Sequence, residues 1–242
     1  MKKTLLVAVS LLTLGAGAAQ AQSKFTLKLG GGFPTGDFGD FSMREDGSPV
    51  FILEGDTRIG PGGAAGTGFN VGVQWKLMEI KSVQGLDLVL SADAFYNALN
   101  SDIRDMVAEA ATRFSYYSLA KYLNFPVMLG LNYGTGIAPN IGLYGEAAAG
   151  LNLRYITSNI WEKNEQEARV NYGAETSFGY RVAVGLIFSS RYSVELGYYN
   201  LGSAKVKEEA VLSENGIVEY TEKRYVGRLT PTLLTLRLGI AL

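Results

Sequence analysis

Residues 122–155 read YLNFPVMLGLNYGTGIAPNIGLYGEAAAGLNLRY, and this stretch decides the fold. Leu123, Phe125, Val127, Leu129, Leu131 and Tyr133 alternate with Asn124, Pro126, Gly130 and Asn132. After a short connection, Ile141, Leu143, Ala147, Ala149, Leu151, Leu153 and Tyr155 alternate with Gly142, Glu146, Gly150, Asn152 and Arg154. Successive side chains of an extended chain point to opposite faces, so period-two alternation of this length predicts two strands, each apolar on one face only.

The same period recurs on both sides of this pair. Alternating runs occupy 25–29, 69–77, 86–96, 178–188, 192–198 and 234–242. That makes eight strands, most near the 9–11 residues that a tilted membrane strand requires. The connections carry a second signal because their lengths alternate. Residues 34–67, 98–117, 157–171 and 202–227 are long, whereas 79–85, 134–140 and 189–191 are short. Up-and-down outer-membrane barrels have short periplasmic turns and long external loops. An even strand number then puts both termini at the periplasmic rim.

Alternation alone leaves open whether the apolar face lines a core, as in a soluble barrel, or faces lipid. Three features favour the inverted barrel. The other face carries charge at mid-strand, of both signs: Lys76, Asp87, Asp93, Glu146, Arg154, Arg181, Glu195 and Arg237. Lone charges in a narrow lumen are expensive, but paired ones are tolerable. That face is also rich in glycine, as expected where bulky lumen side chains need room. The apolar face carries aromatic residues near strand ends, among them Trp75, Tyr96, Tyr133, Tyr155, Phe188, Tyr192 and Tyr198, where they would form interfacial girdles.

The amino end predicts export. Lys2 and Lys3 precede a short apolar run over 5–14, and Ala19-Gln20-Ala21 has the small-x-small pattern of a cleavage site. The apolar run is shorter than the roughly 20 residues of a membrane-spanning helix. We therefore expect a cleaved signal peptide over 1–21 and one outer-membrane barrel domain over 22–242. The 242 residues contain no cysteine and no histidine. The first absence removes disulfide scaffolds and thiolate metal sites. The second removes the usual general base and the commonest transition-metal ligand. A formal net charge of −1 offers no basic field for nucleic acid.

Three segments add a resemblance. Tyr122-Leu-Asn-Phe-Pro-Val-Met-Leu-Gly-Leu-Asn-Tyr-Gly134 resembles the Tyr-Leu-x-hydrophobic-Pro-hydrophobic strand of the Bacteroidota-type outer-membrane β-barrel domain family, which is related in architecture to the eight-stranded OmpA- and OmpX-like barrels. Residues 195–202 and 234–242 fall where that family has its last two strands. The resemblance implies an all-β, eight-stranded antiparallel up-and-down barrel, integral to the bacterial outer membrane. The chain departs from many outer-membrane proteins in ending on Leu242 rather than Phe. It stops with the eighth strand, so the peptidoglycan-binding domain of the full-length OmpA type is not expected.

Barrels of this size that acylate or deacylate lipid A are built around a catalytic histidine, so no enzyme activity, catalytic residue, cofactor or metal site is expected here. The glycine-rich segment 60–68 lacks a strand–helix context for a phosphate cradle and reads as a loop. Asp37, Asp40, Glu45, Asp46, Glu54 and Asp56 read as a solvated acidic loop, since their spacing lacks the EF-hand order. Residues 102–113 predict a short helix in the second external loop. The one candidate constellation is a lumen charge network, structural or gating, in which Glu146 and Glu195 pair with some of Lys76, Arg154, Arg181 and Arg237. A barrel of eight strands is just wide enough for side chains to fill. The expected function is therefore a structural or surface-interaction role with a largely filled lumen. The alternatives are a narrow porin-like channel and a component of an envelope secretion or assembly system. Expected partners are outer-membrane lipid and lipopolysaccharide, and extracellular or envelope proteins reached through the loops, with no nucleic acid.

Overall fold

In a computed structural model, the structure describes residues 24–39, 63–110, 112, 114–164 and 166–242. The expected signal peptide, most of the acidic loop and residues 60–62 of the glycine-rich segment lie outside the described residues. Among the described residues, thirteen strands form two sheets. The barrel strands are β1 (Phe25–Thr35), β2 (Gly68–Glu79), β3 (Leu86–Ala98), β5 (Lys121–Ala138), β6 (Ile141–Ile156), β9 (Glu175–Phe188), β10 (Tyr192–Asn200) and β13 (Thr232–Ala241). The remaining strands are β4 (Tyr116–Ser118), β7 (Asn159–Lys163), β8 (Gln166–Tyr172), β11 (Ala204–Glu214) and β12 (Ile217–Leu229). One helix, α1 (Ser101–Ala110), stands between β3 and β4.

The barrel closes in the order β1-β13-β10-β9-β6-β5-β3-β2, every neighbour antiparallel. The first and last strands pair over ten positions, from Thr26 opposite Ala241 to Thr35 opposite Thr232, so the barrel has no open edge. Closure matters because unpaired backbone groups in lipid cost several kcal/mol each (on the order of 2–7). No helix among the described residues is long and apolar enough to cross a membrane.

The three short connections are tight. Pro139 and Asn140 (φ 65°) join β5 to β6, and Ser189 and Ser190 (φ 50° and 57°) help join β9 to β10. The β2–β3 turn is closed by the Val83 amide donating to the Ile80 carbonyl at 2.9 Å.

The distribution of side chains is inverted relative to a soluble protein. Arg154, Arg181 and Arg237 are among the largest fully buried side chains, at 1–2% exposure. Leu151, Leu238 and Phe178 are 63–69% exposed. Soluble domains almost never bury arginine without pairing it, nor do they expose a continuous apolar belt. The belt is also the right height. Phe178 to Phe188 along β9 spans ten residues, which at ~3.4 Å each and a tilt of ~40° gives ~26 Å, against a band of ~25 Å in membrane barrels.

The long external connections differ from the expectation of loops. The β7–β8 and β11–β12 hairpins and β4 form a second antiparallel sheet in the order β12-β11-β8-β7-β4. The β11–β12 turn is Asn215-Gly216, both at positive φ (52° and 76°). Asn-Gly at a two-residue turn matches the twist of the flanking strands and drives a hairpin. The expected short helix is present as α1. Asn100 caps it: its side-chain oxygen accepts from the Asp102 amide at 2.9 Å.

Candidate functional site: a charged lumen beneath an external sheet

Each of the eight barrel strands sends a polar side chain to one cluster near mid-barrel. They are Lys28 on β1, Gln74 on β2, Asp93 on β3, Asn132 on β5, Glu146 on β6, Arg181 on β9, Glu195 on β10 and Arg237 on β13. Alternation dictates this: each occupies the inward phase of a strand whose outward phase is apolar.

The carboxylates organise the cluster. Glu195 accepts from Lys28 Nζ at 2.6 Å, Tyr144 Oη at 2.8 Å and Arg237 Nε at 2.8 Å, and also meets Arg237 Nη2. Asp93 accepts from Arg237 Nη1 at 2.7 Å and Tyr199 Oη at 3.0 Å, with Arg181 Nη1 at 3.5 Å. Glu146 pairs with Arg181 Nη2 and accepts from Gln74 Nε2 at 2.7 Å, with Asn132 Nδ2 at 3.3 Å and Lys28 Nζ at 3.9 Å. The Tyr199 ring lies between two guanidinium groups, each 5.4 Å from its centroid. Three cations, Lys28, Arg181 and Arg237, thus meet three anions, Asp93, Glu146 and Glu195. A neutral, mutually bonded set is the form in which charge is tolerated away from water.

Glycines on the inward face make the space. A Cβ on Gly72 would lie 1.8 Å from Asp93 Oδ1, and one on Gly30 would lie 2.9 Å from Arg237 Cγ. The close approach of these side chains to backbone requires residues without side chains there.

Four of the six residues named from the sequence, Glu146, Arg181, Glu195 and Arg237, meet in this cluster. The other two sit elsewhere. Lys76 lies at the periplasmic rim, 2.7 Å from Asp87 and 3.9 Å from Glu79, its side chain 39% exposed. It is two residues beyond Gln74 on the inward phase of β2, and so falls at the rim. Arg154 is at the external end, where Nη1 donates to the Leu229 carbonyl at 2.8 Å and Nη2 to that of Lys205 at 3.3 Å. Lys28 was absent from the expected pairing set. Its inward phase was legible, but the first strand has few alternating positions to weigh. Asp93 was visible as a mid-strand charge, yet its partners lie across the bore, at separations of 88 and 144 residues that no local pattern reports.

Above the cluster, toward the external end, buried apolar side chains pack into a plug. Phe38, from the short turn after β1, is fully buried and meets the Tyr122 ring edge-on at 5.2 Å. Tyr122 Oη donates to the Gly63 carbonyl at 2.5 Å, and Ile103 of α1 and Leu229 pack in the same cluster. Below, a periplasmic vestibule of about 220 Å³ is lined in part by Lys24, Lys28, Lys76, Asp87 and Tyr144. The lumen is therefore lined by charged and polar side chains on the periplasmic side, and on the external side by apolar side chains together with the buried Arg154.

No family model matches the chain, and no curated protein does. Two solved structures are among those similar to it. Neisserial surface protein A (NspA) aligns at 10% identity and a TM-score of 0.39, over 92% of this chain and 100% of that one. A major outer membrane protein from Thermus thermophilus aligns at 14% identity and a TM-score of 0.49, over 89% of this chain and 97% of that one. Its own strand register, buried charges and exposed apolar belt make this chain an eight-stranded antiparallel β-barrel of the outer-membrane type.

Proposed function

We propose that the chain is a closed outer-membrane barrel that anchors a five-stranded external sheet, and that this sheet carries its role as a surface-interaction protein. The supporting observation is the lumen: one polar side chain from every barrel strand fills the bore, with the apolar plug above it. A non-catalytic role fits the same geometry. The three lumen carboxylates are each engaged by cations, and the chain has no histidine to act as a base.

The test is surface display. A peptide tag inserted at Asn215-Gly216 should be labelled on intact cells, whereas one at Ser189-Ser190 should be labelled only after the outer membrane is permeabilised. Labelling of the second tag on intact cells, or protection of the first, would overturn the reading.

A further inference from the structure

The foot of the external sheet carries a feature that a closed lumen does not explain. Lys205 of β11 lies directly opposite Arg228 of β12. Directly opposed residues of antiparallel strands project to the same side. Both are exposed, while Ala204, Val206 and Leu229 are buried on the other side, toward the plug. Lys205 and Arg228 therefore face away from the barrel axis. Neighbouring charges are paired: Lys207 with Glu175 at 3.5 Å and Glu209 with Lys223 at 3.1 Å. Among the described residues, Lys205 and Arg228 have no anionic partner. Like charges in direct register repel unless a counter-charge sits between them.

A second observation adjoins the first. The register shift between Val206 and Lys207 places Lys207 opposite Tyr225, one pair further from the membrane. With Asn171, Gly173, Glu209 and Lys223 these residues line an open concavity of about 450 Å³. Tyr225 is 57% exposed. An exposed aromatic face ringed by an amide and charges of both signs fits a sugar, whose ring has apolar faces and a hydroxyl-bearing edge.

The depth agrees. Phe178 is an exposed aromatic at the external end of the belt, and Gly202 packs against its backbone, where a Cβ would lie 2.0 Å from the Phe178 carbonyl oxygen. Lys205 follows three residues later, at most ~10 Å of extended chain. The cation pair thus sits at headgroup depth, with the concavity just above it.

The geometry points to a binding site for a phosphorylated glycolipid of the outer leaflet. A phosphate sits between Lys205 and Arg228, and the saccharide lies over Tyr225. Arginine's planar fork suits a phosphate held in two places, and lysine supplies the second charge. The site rests on the membrane-barrel reading.

The test uses the mature chain refolded in detergent, with a bisphosphorylated lipooligosaccharide in mixed micelles as probe. The Lys205→Ala/Arg228→Ala double variant should bind at least tenfold more weakly than the parent, and Lys205→Arg should bind within twofold of it. Tyr225→Ala should weaken binding of the lipooligosaccharide but not of phosphatidic acid, which has no sugar. Heat-modifiable gel mobility, retained in every variant, shows that the barrel is folded. A double variant that loses it is replaced by Lys205→Gln/Arg228→Gln. The site is overturned if the double variant binds like the parent, if a dephosphorylated probe binds as well, or if equimolar inorganic phosphate displaces the lipid. If the parent chain itself lacks heat-modifiable mobility, the barrel reading fails, and this site fails with it.

Discussion

Replacing Glu146 by Leu leaves the lumen with three cations and two anions; replacing Arg181 by Met leaves two and three. Each single change strands one charge among side chains that are almost fully buried. Breaking a buried pair from one side costs ~3–5 kcal/mol, most of it the desolvation of the partner left behind. The double variant restores neutrality. Lys28 and Arg237 still meet Glu195 and Asp93, and the vacated space is filled by apolar groups. Its expected cost is within ~2 kcal/mol of the parent, because apolar replacement of a whole buried pair is often nearly neutral. Urea unfolding of the barrel in lipid vesicles, followed by gel mobility without boiling, gives the midpoints. With an m-value of ~2 kcal/mol/M, each single variant should shift the midpoint down by ~2 M and the double by ~1 M or less. Single effects that add to within ~0.5 kcal/mol in the double variant would show that the two side chains are energetically independent, and would refute the reasoning.

Other consequences follow from the same geometry. Leu236→Lys places a charge at the middle of the apolar belt and should cost ~2–4 kcal/mol, whereas Tyr192→Lys at the periplasmic rim should cost ~0–1 kcal/mol; urea midpoints in vesicles measure both. Gly72→Ala drives a methyl into Asp93 and should cost ~1–3 kcal/mol by overpacking. In the same assay Gly136→Ala, whose Cβ meets nothing within 4 Å, should stay within ~0.5 kcal/mol of the parent. Phe38→Ala empties the centre of the plug. It should speed hydrogen exchange at the Gly63 and Ala65 amides, which donate to the Asp37 and Phe38 carbonyls, while leaving amides of β9 and β10 protected.

The barrel was legible because one physical rule, alternation between two faces, acts locally and repeats eight times. Connection length then separated the two rims without any knowledge of contacts. The external sheet was less legible. Residues 159–172 and 204–229 carry polar residues on both phases, Glu208 among them on the buried one, so alternation fades there. The Asn215-Gly216 turn was the available signal for the second hairpin. Within the lumen, phase could be read for Glu146, Arg181, Glu195 and Arg237, but depth could not. Depth depends on strand stagger around the closed sheet. Stagger is what places Lys76 at the rim with Asp87, carries Arg154 up to the carbonyls of Lys205 and Leu229, and brings Lys28 against Glu195 instead. The plug was not foreseen, because Phe38 lies in a connection and has no period to reveal its direction.

Closure of the barrel by its own side chains is tested most directly by single-channel recording across planar bilayers, using protein whose heat-modifiable mobility shows that it is folded. A closed lumen predicts a flat baseline at the parent's insertion, and discrete steps only when the Phe38 plug and the charge cluster are both dismantled. Reproducible conductance steps from the unmodified protein would contradict it.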